Sequence, residues 1–331
     1  MVTALISHHH NFPANKKYDI IYLQIYFRSG HLQKIIEKHR QNKGGEMKKR
    51  AVLLFAAAML AAVSMTFNAA AEETTENGTE NFQEIAVIDN EKCTVKLIGI
   101  DEDNIWGYTI NAYLENKTAD TTLMYSVDSA AVNGVEANVM FATEVAPGKK
   151  SNEKINLLDS TLEENGITDF TDIEITFRVF DSNDWSADDV AEKTVHVYPK
   201  GEENASVFVR KSQPSDIVLF DNDSASATVT GIGEDDIWGY SVHLYLVNKT
   251  TDKTLMFNEE NASVNGFMAD PYWAVEIKPG KSAFSSMSWS RSAFEENGIT
   301  SVDDIEFTFR VYDSENWSGE DIYNDIVTLN P

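Results

Sequence analysis

The sequence predicts an all-β protein of two tandem antiparallel β-sandwiches, each with one short helix, behind an N-terminal signal peptide. Three observations predict this fold class. Apolar residues alternate with polar ones over many short segments, which is the period of half-buried strands. Residues 221–331 repeat residues 89–199, and a basic segment followed by an apolar run precedes both copies.

A secretory signal peptide is predicted over residues 47–71. Met47 is followed by three basic residues at 48–50, and residues 51–65 form an apolar run rich in Ala and Leu. Ala69 and Ala71 place small residues where a signal peptidase recognises its substrate. We expect cleavage after Ala71 and a secreted, extracellular protein. A retained membrane anchor is the alternative, but the apolar run is shorter than the ~20 residues of a bilayer span.

The remaining boundaries follow from composition. Residues 1–46 would keep the signal away from an N-terminus, so we interpret them as a mis-assigned upstream extension with Met47 as the biological start. A genuine extension is the alternative. Residues 72–81 and 200–214 are polar and are predicted to be solvated linkers. The two domains then span 82–199 and 215–331.

These domains are copies of one another. A shift of 132 positions aligns the segment 89–199 with 221–331 without a gap, and roughly fifty of the 111 pairs are identical. Asn116-Lys117-Thr118, for example, matches Asn248-Lys249-Thr250. Each copy is long enough to bury its own core, so this is the duplication of a whole domain.

Strands are predicted from alternation of period two. Ile173, Ile175 and Phe177 are spaced to face inward, while Glu174 and Arg178 face outward, where their charges can pair. The strands predicted in the first repeat are 83–88, 93–100, 106–115, 122–128, 135–141, 151–158, 172–180 and 193–198. This number of short strands in a unit of ~110 residues indicates an antiparallel, immunoglobulin-like (Ig-like) sandwich.

Turn and helix signals separate these strands. Asn133-Gly134 and Asn265-Gly266 favour two-residue hairpin turns, and Pro147-Gly148 and Pro279-Gly280 favour tight turns. The segments 160–163 and 292–295 match a helix capping box, and each is followed by Asn-Gly, a stop signal. One short helix is therefore expected in each repeat.

Three sequence blocks carry a family resemblance. Residues 103–108, 114–118 and 177–182, with the sequences DNIWGY, LENKT and FRVFDS, resemble the Ig-like β-sandwich repeats of secreted proteins from low-GC Gram-positive bacteria, which are mostly of unknown function. The resemblance covers nearly all of residues 86–331. It implies the fold and export, and it supplies no catalytic residue.

Composition excludes several classes of function. The net charge is −26, which argues against binding to nucleic acid or to anionic lipid through phosphates. We expect no nucleic acid partner and no membrane association after signal cleavage. The single cysteine, Cys93, excludes an intramolecular disulfide and a Cys-based zinc site. It aligns with Ala225, so we expect a small buried residue, with thiol-linked dimers as the alternative.

Catalysis has little support in the sequence. Within the predicted mature chain only His196 and His243 remain, and they align with Thr328 and Asn111. A Ser-His-acid site needs a histidine beside its nucleophile, and both histidines are better explained as surface residues. We therefore expect no enzyme, no catalytic residue and no cofactor.

A calcium site is the stronger alternative, because acidic segments at 101–104 and 181–189 could gather oxygen ligands. The second segment departs from the EF-hand pattern, with Trp185 at its fifth position and no Gly at its sixth. A solvated acidic loop explains it better, and no metal site is predicted.

Tryptophan provides the remaining candidates. Trp106, Trp238, Trp273 and Trp289 keep the inward period or align with apolar residues, so they are expected in the core. Trp185 and Trp317 follow Asp181-Ser182 and Asp313-Ser314 at a strand end. Such a ring either caps the core, which we favour, or protrudes to bind a sugar or a protein. We name Trp185, Trp317, Asp181 and Asp313 as candidate ligand-binding residues.

The function predicted is that of a secreted, non-catalytic Ig-like binding or adhesion protein. Its partner would be an extracellular polysaccharide or protein at the cell surface. Two tandem modules suit two-point attachment, since the second contact gains from a high effective concentration. The alternatives are a structural spacer or scaffold without its own ligand site, and a calcium-stabilised adhesin.

Overall fold

The computed structural model describes residues 82–331 except 103, 105, 106, 159, 185, 236–238 and 272. The predicted extension 1–46, the signal peptide 47–71 and the linker 72–81 lie outside the described residues, as do Trp106, Trp185 and Trp238. The described part of the chain is built from β-strands with two short helices. The all-β fold class is therefore confirmed.

Each repeat contributes strands to two sheets, and one sheet of each repeat joins the other through β5 and β17 into a single nine-stranded sheet. The strands of the first repeat are β1 (Ile85–Asp89), β2 (Cys93–Asp101), β3 (Tyr108–Asn116), β4 (Leu123–Val132), β5 (Val135–Glu136), β6 (Asn138–Met140), β7 (Ala142–Val145), β8 (Lys150–Leu158), β9 (Ile173–Asp181) and β10 (Ala191–Val197). Those of the second are β11 (Ile217–Asp221), β12 (Ala225–Asp235), β13 (Gly239–Asn248), β14 (Leu255–Val264), β15 (Phe267–Met268), β16 (Ala274–Ile277), β17 (Ser282–Trp289), β18 (Ile305–Asp313) and β19 (Tyr323–Leu329).

The pairing order is the same in both repeats. One sheet runs β1-β2-β3-β8-β6, and its first four strands are matched by β11-β12-β13-β17 in the second repeat; β6 has no counterpart among the described strands there. The other runs β10-β9-β4 with β5 and β7 on the free edge of β4, matched by β19-β18-β14 with β15 and β16. Even the bulge in β2 between Leu97 and Gly99 recurs in β12 between Val229 and Gly231. The duplication seen in the sequence thus extends to pairing register.

Each pair of sheets encloses one apolar core. In the first repeat Leu97, Ile110 and Ile155 from one sheet and Tyr125 and Phe177 from the other are at most 1% exposed. They belong to a single hydrophobic cluster, and the second repeat has its own. Burying each such side chain contributes about 1.5–3 kcal/mol, so the cores fix the inward faces of the strands.

The predicted turns form as expected. Asn133 and Gly134 have φ angles of 51° and 80°, and Asn265 and Gly266 have 50° and 76°. Asparagine and glycine are the residues that tolerate this left-handed region. The prediction for strand 135–141 is wrong in detail, because this edge segment divides into β5 and β6 and is followed by β7.

The helices are α1 (Ser160–Glu164) and α2 (Arg291–Glu296). Their predicted ends are confirmed, since Gly166 and Gly298 adopt φ angles of 80° and 67°. The cap predicted at Ser292 is wrong. Ser290 is the N-cap and its Oγ accepts a hydrogen bond from Ala293 N, because β17 ends at Trp289 and leaves Ser290 as the first residue free to turn.

The two repeats contact each other directly. Ser282 N donates to Gly134 O at 3.0 Å, which places β5 and β17 side by side in parallel. Lys278 N donates to Glu136 Oε1 at 3.0 Å. Glu174, expected to pair with Arg178, instead pairs with Lys281 of the second repeat at 2.5 Å.

The segment between the repeats is anchored rather than solvated along its whole length. Phe208 N donates to Asn133 O at 2.8 Å, and the Phe208 ring meets Phe284 of the second repeat edge to face at 6.0 Å. Further along, Arg210 forms two hydrogen bonds of 2.7 Å with Asp216. Polar composition predicted a solvated linker here, but the contacts of Phe208 and Arg210 fix this segment against the repeats.

Candidate functional site

The candidate site is the turn between β18 and β19, which carries Trp317. A 3-10 turn spans Ser314–Asn316, and the Asp313 carboxylate caps it by accepting a hydrogen bond from Glu315 N at 3.1 Å. The Trp317 side chain follows this turn and is 69% exposed. Asp313 therefore has a structural role, which is to set the turn that presents the ring.

Arg310 holds this turn from below. Its Nη2 donates to Trp317 O at 3.2 Å, and its Nε donates to Asp321 Oδ1 at 2.9 Å. The guanidinium also lies 4.3 Å from the centre of the Tyr312 ring, a cation-π distance. Arg310 lowers the pKa of Asp321, so that carboxylate stays ionised and paired. A turn fixed in this way loses little further freedom when the ring binds a partner.

The same contacts support the matching turn of the first repeat. Arg178 Nε lies 2.9 Å from both carboxylate oxygens of Asp189, and its guanidinium lies 4.5 Å from the centre of the Phe180 ring. Asp181 Oδ1 accepts a hydrogen bond from Asn183 N at 2.8 Å. Asp181 and Asp313 thus play equivalent parts. Trp185, the counterpart of Trp317, lies outside the described residues.

The interpretation of Trp317 as a cap on the core is wrong, because a capping ring would be buried. Trp273 and Trp289 are confirmed as core residues at 7% and 1% exposure. Their indole nitrogens donate to Ser285 Oγ and to Ala269 O, each at 2.8 Å. Buried tryptophans satisfy their N–H in this manner, whereas Trp317 directs its surface outward.

The acidic loops weighed for calcium use their carboxylates internally. Asp189 is occupied by Arg178, Asp101 Oδ2 accepts from Asn104 Nδ2 at 2.8 Å, and Asp184 Oδ1 accepts from Ser186 Oγ at 2.7 Å. Among the described residues no three His, Cys, Asp or Glu side chains gather as a metal site would require.

His196 and His243, the two histidines among the described residues, lie on outward strand faces. His196 Nδ1 is 2.7 Å from Asp172 Oδ1, and its ring stacks on Tyr198 at 5.7 Å. His243 Nδ1 is 2.8 Å from Ser286 Oγ on the neighbouring strand. These contacts fit the surface role expected of both residues.

Cys93 is confirmed as a small buried residue. It is fully buried, as is Ala225 at the matching position. Burial raises the pKa of its thiol, which suppresses the reactive thiolate.

A second surface feature escaped the sequence analysis. A shallow depression of about 390 Å³ lies on the face of β1, β2 and β3, lined in part by Glu84, Lys96 and Tyr113. At the matching place in the second repeat, Asp216 and Tyr245 hold Arg210 of the anchored segment. The sequence does carry a signal for this feature. An acidic residue and a tyrosine occupy matching positions in both repeats, Glu84 with Tyr113 and Asp216 with Tyr245.

Comparisons with known proteins add no family. No family model matches the chain, and no curated protein matches it. Among solved structures, the YadV chaperone is similar over 67% of this chain and 92% of its own, with 12% identity and a TM-score of 0.20. The exo-chitosanase CsxA of Amycolatopsis orientalis matches 70% of this chain and 26% of its own, with 12% identity and a TM-score of 0.22.

The transglutaminase of red sea bream matches 67% of this chain and 28% of its own, with 11% identity and a TM-score of 0.19. Similarity at this level carries no argument about fold or function. In the part of the chain that the structure describes, no helix has the length and apolar character to cross a bilayer.

Proposed function

We propose that the chain is a secreted, non-catalytic binding protein of two tandem Ig-like sandwiches whose partner is a polysaccharide or a protein at the cell surface. The observation that carries the proposal is the Trp317 ring, 69% exposed on a turn that Asp313 and Arg310 hold in place. Exposure of so large a ring on a fixed support favours recognition over packing.

The chemistry of the turn suits both kinds of partner. An indole face stacks on the apolar face of a sugar ring or enters a pocket on a protein. Polar groups beside the ring supply the hydrogen bonds that orient a ligand, and the exposed acids Glu315 and Glu320 favour partners with cationic or hydroxyl groups.

The position of the turn in the second repeat also supports binding by both repeats together. Asp313, Leu255 and Ile277 lie opposite one another across β18, β14 and β16. The Trp317 turn and Lys278, which contacts the first repeat, therefore lie at the same end of the second sandwich. A long partner such as a glycan could contact this end and the first repeat at once.

Co-sedimentation tests the proposal. The protein is mixed with insoluble polysaccharides and with Gram-positive cell walls, and the pelleted fraction is measured for the natural protein and for Trp317→Ala. Ile326→Ala is the matched control, since Ile326 is 65% exposed on the adjoining strand β19. Trp185→Ala tests the first repeat separately.

We expect one class of material to retain the natural protein and the control, and to retain Trp317→Ala at least about tenfold less tightly, the effect of one lost anchor. Retention unaffected by Trp317→Ala would place the site elsewhere. Absence of retention by every material would favour a soluble protein partner or a purely structural role.

Export is tested independently. The proposal places a signal peptide at residues 47–71, so the protein recovered from the culture medium should begin at Glu72. A product that keeps residues 47–71 would contradict this part of the proposal.

A spacer or scaffold is the second candidate. The contact between Lys281 and Glu174 and the anchoring of Phe208 favour it, because they fix the two repeats relative to one another without any ligand. Retention in the sedimentation assay that depends on Trp317 would exclude a purely structural role.

A further inference from the structure

Counterparts for the main-chain bond and the ion pair between the repeats occur in each repeat, because the repeats are copies. The ring contact has no counterpart, since Phe284 matches Asn152 and Phe208 lies in the segment between the repeats. The first repeat contributes the Asn133-Gly134 turn with β5, and the second contributes residues 278–284. The chain therefore carries one further half at each end. The second repeat has its own turn at Asn265-Gly266 with β15, and the first has residues 146–152.

The turn half in the second repeat is uncovered. In β5 Val135 is 1% exposed and Glu136 is partly buried, whereas Phe267 and Met268 at the matching positions in β15 are 49% and 67% exposed. Two adjacent apolar side chains on an edge strand form a surface that sheet proteins ordinarily cover or charge.

The other half of the contact, which residues 146–152 form in the first repeat, is uncovered as well. Ser282 is 6% exposed and Lys281 is partly buried, whereas Lys150 and Lys149 at the matching positions are exposed. The difference in exposure at equivalent positions marks both surfaces as unused copies of a contact that the chain already makes.

We propose that a second copy of this chain occupies these surfaces, so that chains associate head to tail. The first repeat of one molecule docks on β15 of the next, with Lys150 N donating to Gly266 O in place of Ser282 N to Gly134 O. Lys149 then faces Glu306, as Lys281 faces Glu174. Met268 lies next to Ala146, as Glu136 lies next to Lys278.

Charge and geometry favour this occupant. The chain as a whole carries −26, so a second copy is repelled unless opposite charges meet locally. Lys149 supplies a cation opposite the exposed Glu306, while Lys150 pairs with Glu115 of its own repeat at 3.5 Å. Main-chain hydrogen bonds transfer between repeats because they do not depend on side-chain identity. The two surfaces differ, so the contact is heterologous and builds an open row of molecules rather than a closed dimer.

Association between chains should be weak. Within one chain the tether supplies an effective concentration of about 1 mM, and no tether joins separate molecules. Sedimentation velocity of the natural protein at rising concentration, up to about 1 mM, should show the average mass increase beyond that of a dimer. A protein that stays monomeric over this range would overturn the proposal.

Variants locate the contact. Met268→Asp should weaken association about tenfold or more, while Ile326→Asp, at a residue of similar exposure, should leave it unchanged. Lys149→Glu should also weaken association, and Lys149→Glu combined with Glu306→Lys should restore it. Equal effects of Met268→Asp and Ile326→Asp, or no rescue by the charge exchange, would contradict the arrangement. Circular dichroism establishes that each variant is folded.

Cross-linking distinguishes head-to-tail contact from a symmetric dimer. Met268→Cys and Ala146→Cys are made in separate chains that also carry Cys93→Ala, the residue found at 225. Oxidation of the mixture should yield the mixed dimer in preference to either symmetric one. Glu164→Cys, an exposed residue of α1, replaces Ala146→Cys as the control and should not cross-link to Met268→Cys. A predominance of Met268→Cys dimers would overturn the proposal.

Discussion

The Lys281 ammonium of the second repeat lies 2.5 Å from the Glu174 carboxylate of the first. The two side chains are only 18% and 22% exposed, so solvent and salt screen this pair less than an open surface pair. It joins the main-chain bond from Ser282 to Gly134 in fixing the repeats. This contact is the structural basis for treating the two repeats as one unit.

The pair should couple measurably. We expect Lys281→Met and Glu174→Gln to show an interaction of about 1 kcal/mol in a double-mutant cycle, the upper range for a partly shielded ion pair. Urea unfolding of the four proteins gives the value. The more exposed pair of Lys96 and Glu84, at 33% and 55% exposure, is the control and should couple less. Additive effects at Lys281 and Glu174 would show that the pair does not stabilise the interface.

Asn248 closes the loop between β13 and β14 and should be costly to replace. It is 1% exposed, its Nδ2 donates to Lys253 O and Ile277 O, and its Oδ1 accepts from Thr250 N and Oγ1. Asn248→Leu leaves these groups without their partner, including the buried Ile277 O, and should cost about 2–4 kcal/mol.

The comparison for this residue is Thr250→Ala, which removes the hydroxyl and its neighbouring methyl group while leaving Asn248 in place, and should cost about 0.5–1.5 kcal/mol. Denaturant unfolding measures both variants. A loss for Asn248→Leu no larger than that for Thr250→Ala would refute this account of the repeated Asn-Lys-Thr motif.

Asp216 should make stability depend on acid pH. Its hydrogen bonds from Arg210 lower the pKa of the carboxyl from 3.8 to about 2 in the folded protein. A lowered folded pKa stabilises the protein fully above the unfolded pKa, and this stabilisation is lost as the pH falls from 3.8 towards 2.

The measurement is urea unfolding of the natural protein and of Asp216→Asn from neutral pH down to about 2. The advantage of the natural protein should be constant at higher pH and shrink below 3.8. Arg210→Met should weaken the same pH dependence and leave only the part due to the hydrogen bond from Gln213 N. An advantage that does not change between about pH 4 and 2 would contradict the role given to this pair.

The tryptophans of the second repeat should differ sharply. Trp289 is 1% exposed, so Trp289→Ala should cost about 3–5 kcal/mol, as large-to-small changes in a core do. Trp317→Ala should change stability by less than about 0.5 kcal/mol. Thermal and denaturant unfolding test both, and a large loss for Trp317→Ala would return that ring to a structural role.

Local patterns predicted the parts of the fold that local physics determines. The alternation at Ile173, Ile175 and Phe177 identified a strand and its buried face, and the positive φ of Asn133 and Gly134 required only turn chemistry. The division of residues 135–145 into short edge strands depends on distant partners, including β17 of the other repeat. No period of the sequence encodes such pairing.

The site was identified by residue type and misjudged in orientation. The sequence identified Asp313 and Trp317 because a turn-like Asp-Ser pair comes shortly before Trp185 in the first repeat and shortly before Trp317 in the second. Whether the ring turns inward depends on the 3-10 turn and on Arg310, whose hydrogen bond to Trp317 O joins residues on both sides of that turn. Likewise Phe208 lies in a polar segment, and its contact with Phe284 becomes visible only when the repeats are assembled.

The central claim, that Trp317 is where a partner binds, is tested most directly by fluorine NMR of protein labelled with 5-fluorotryptophan. Trp317→Phe and Trp289→Phe assign the two resonances, and soluble fragments of the material that retains the protein are then added. We predict that the Trp317 resonance shifts or broadens on addition while the buried Trp289 resonance does not move. A Trp317 resonance unchanged at saturation would contradict the account.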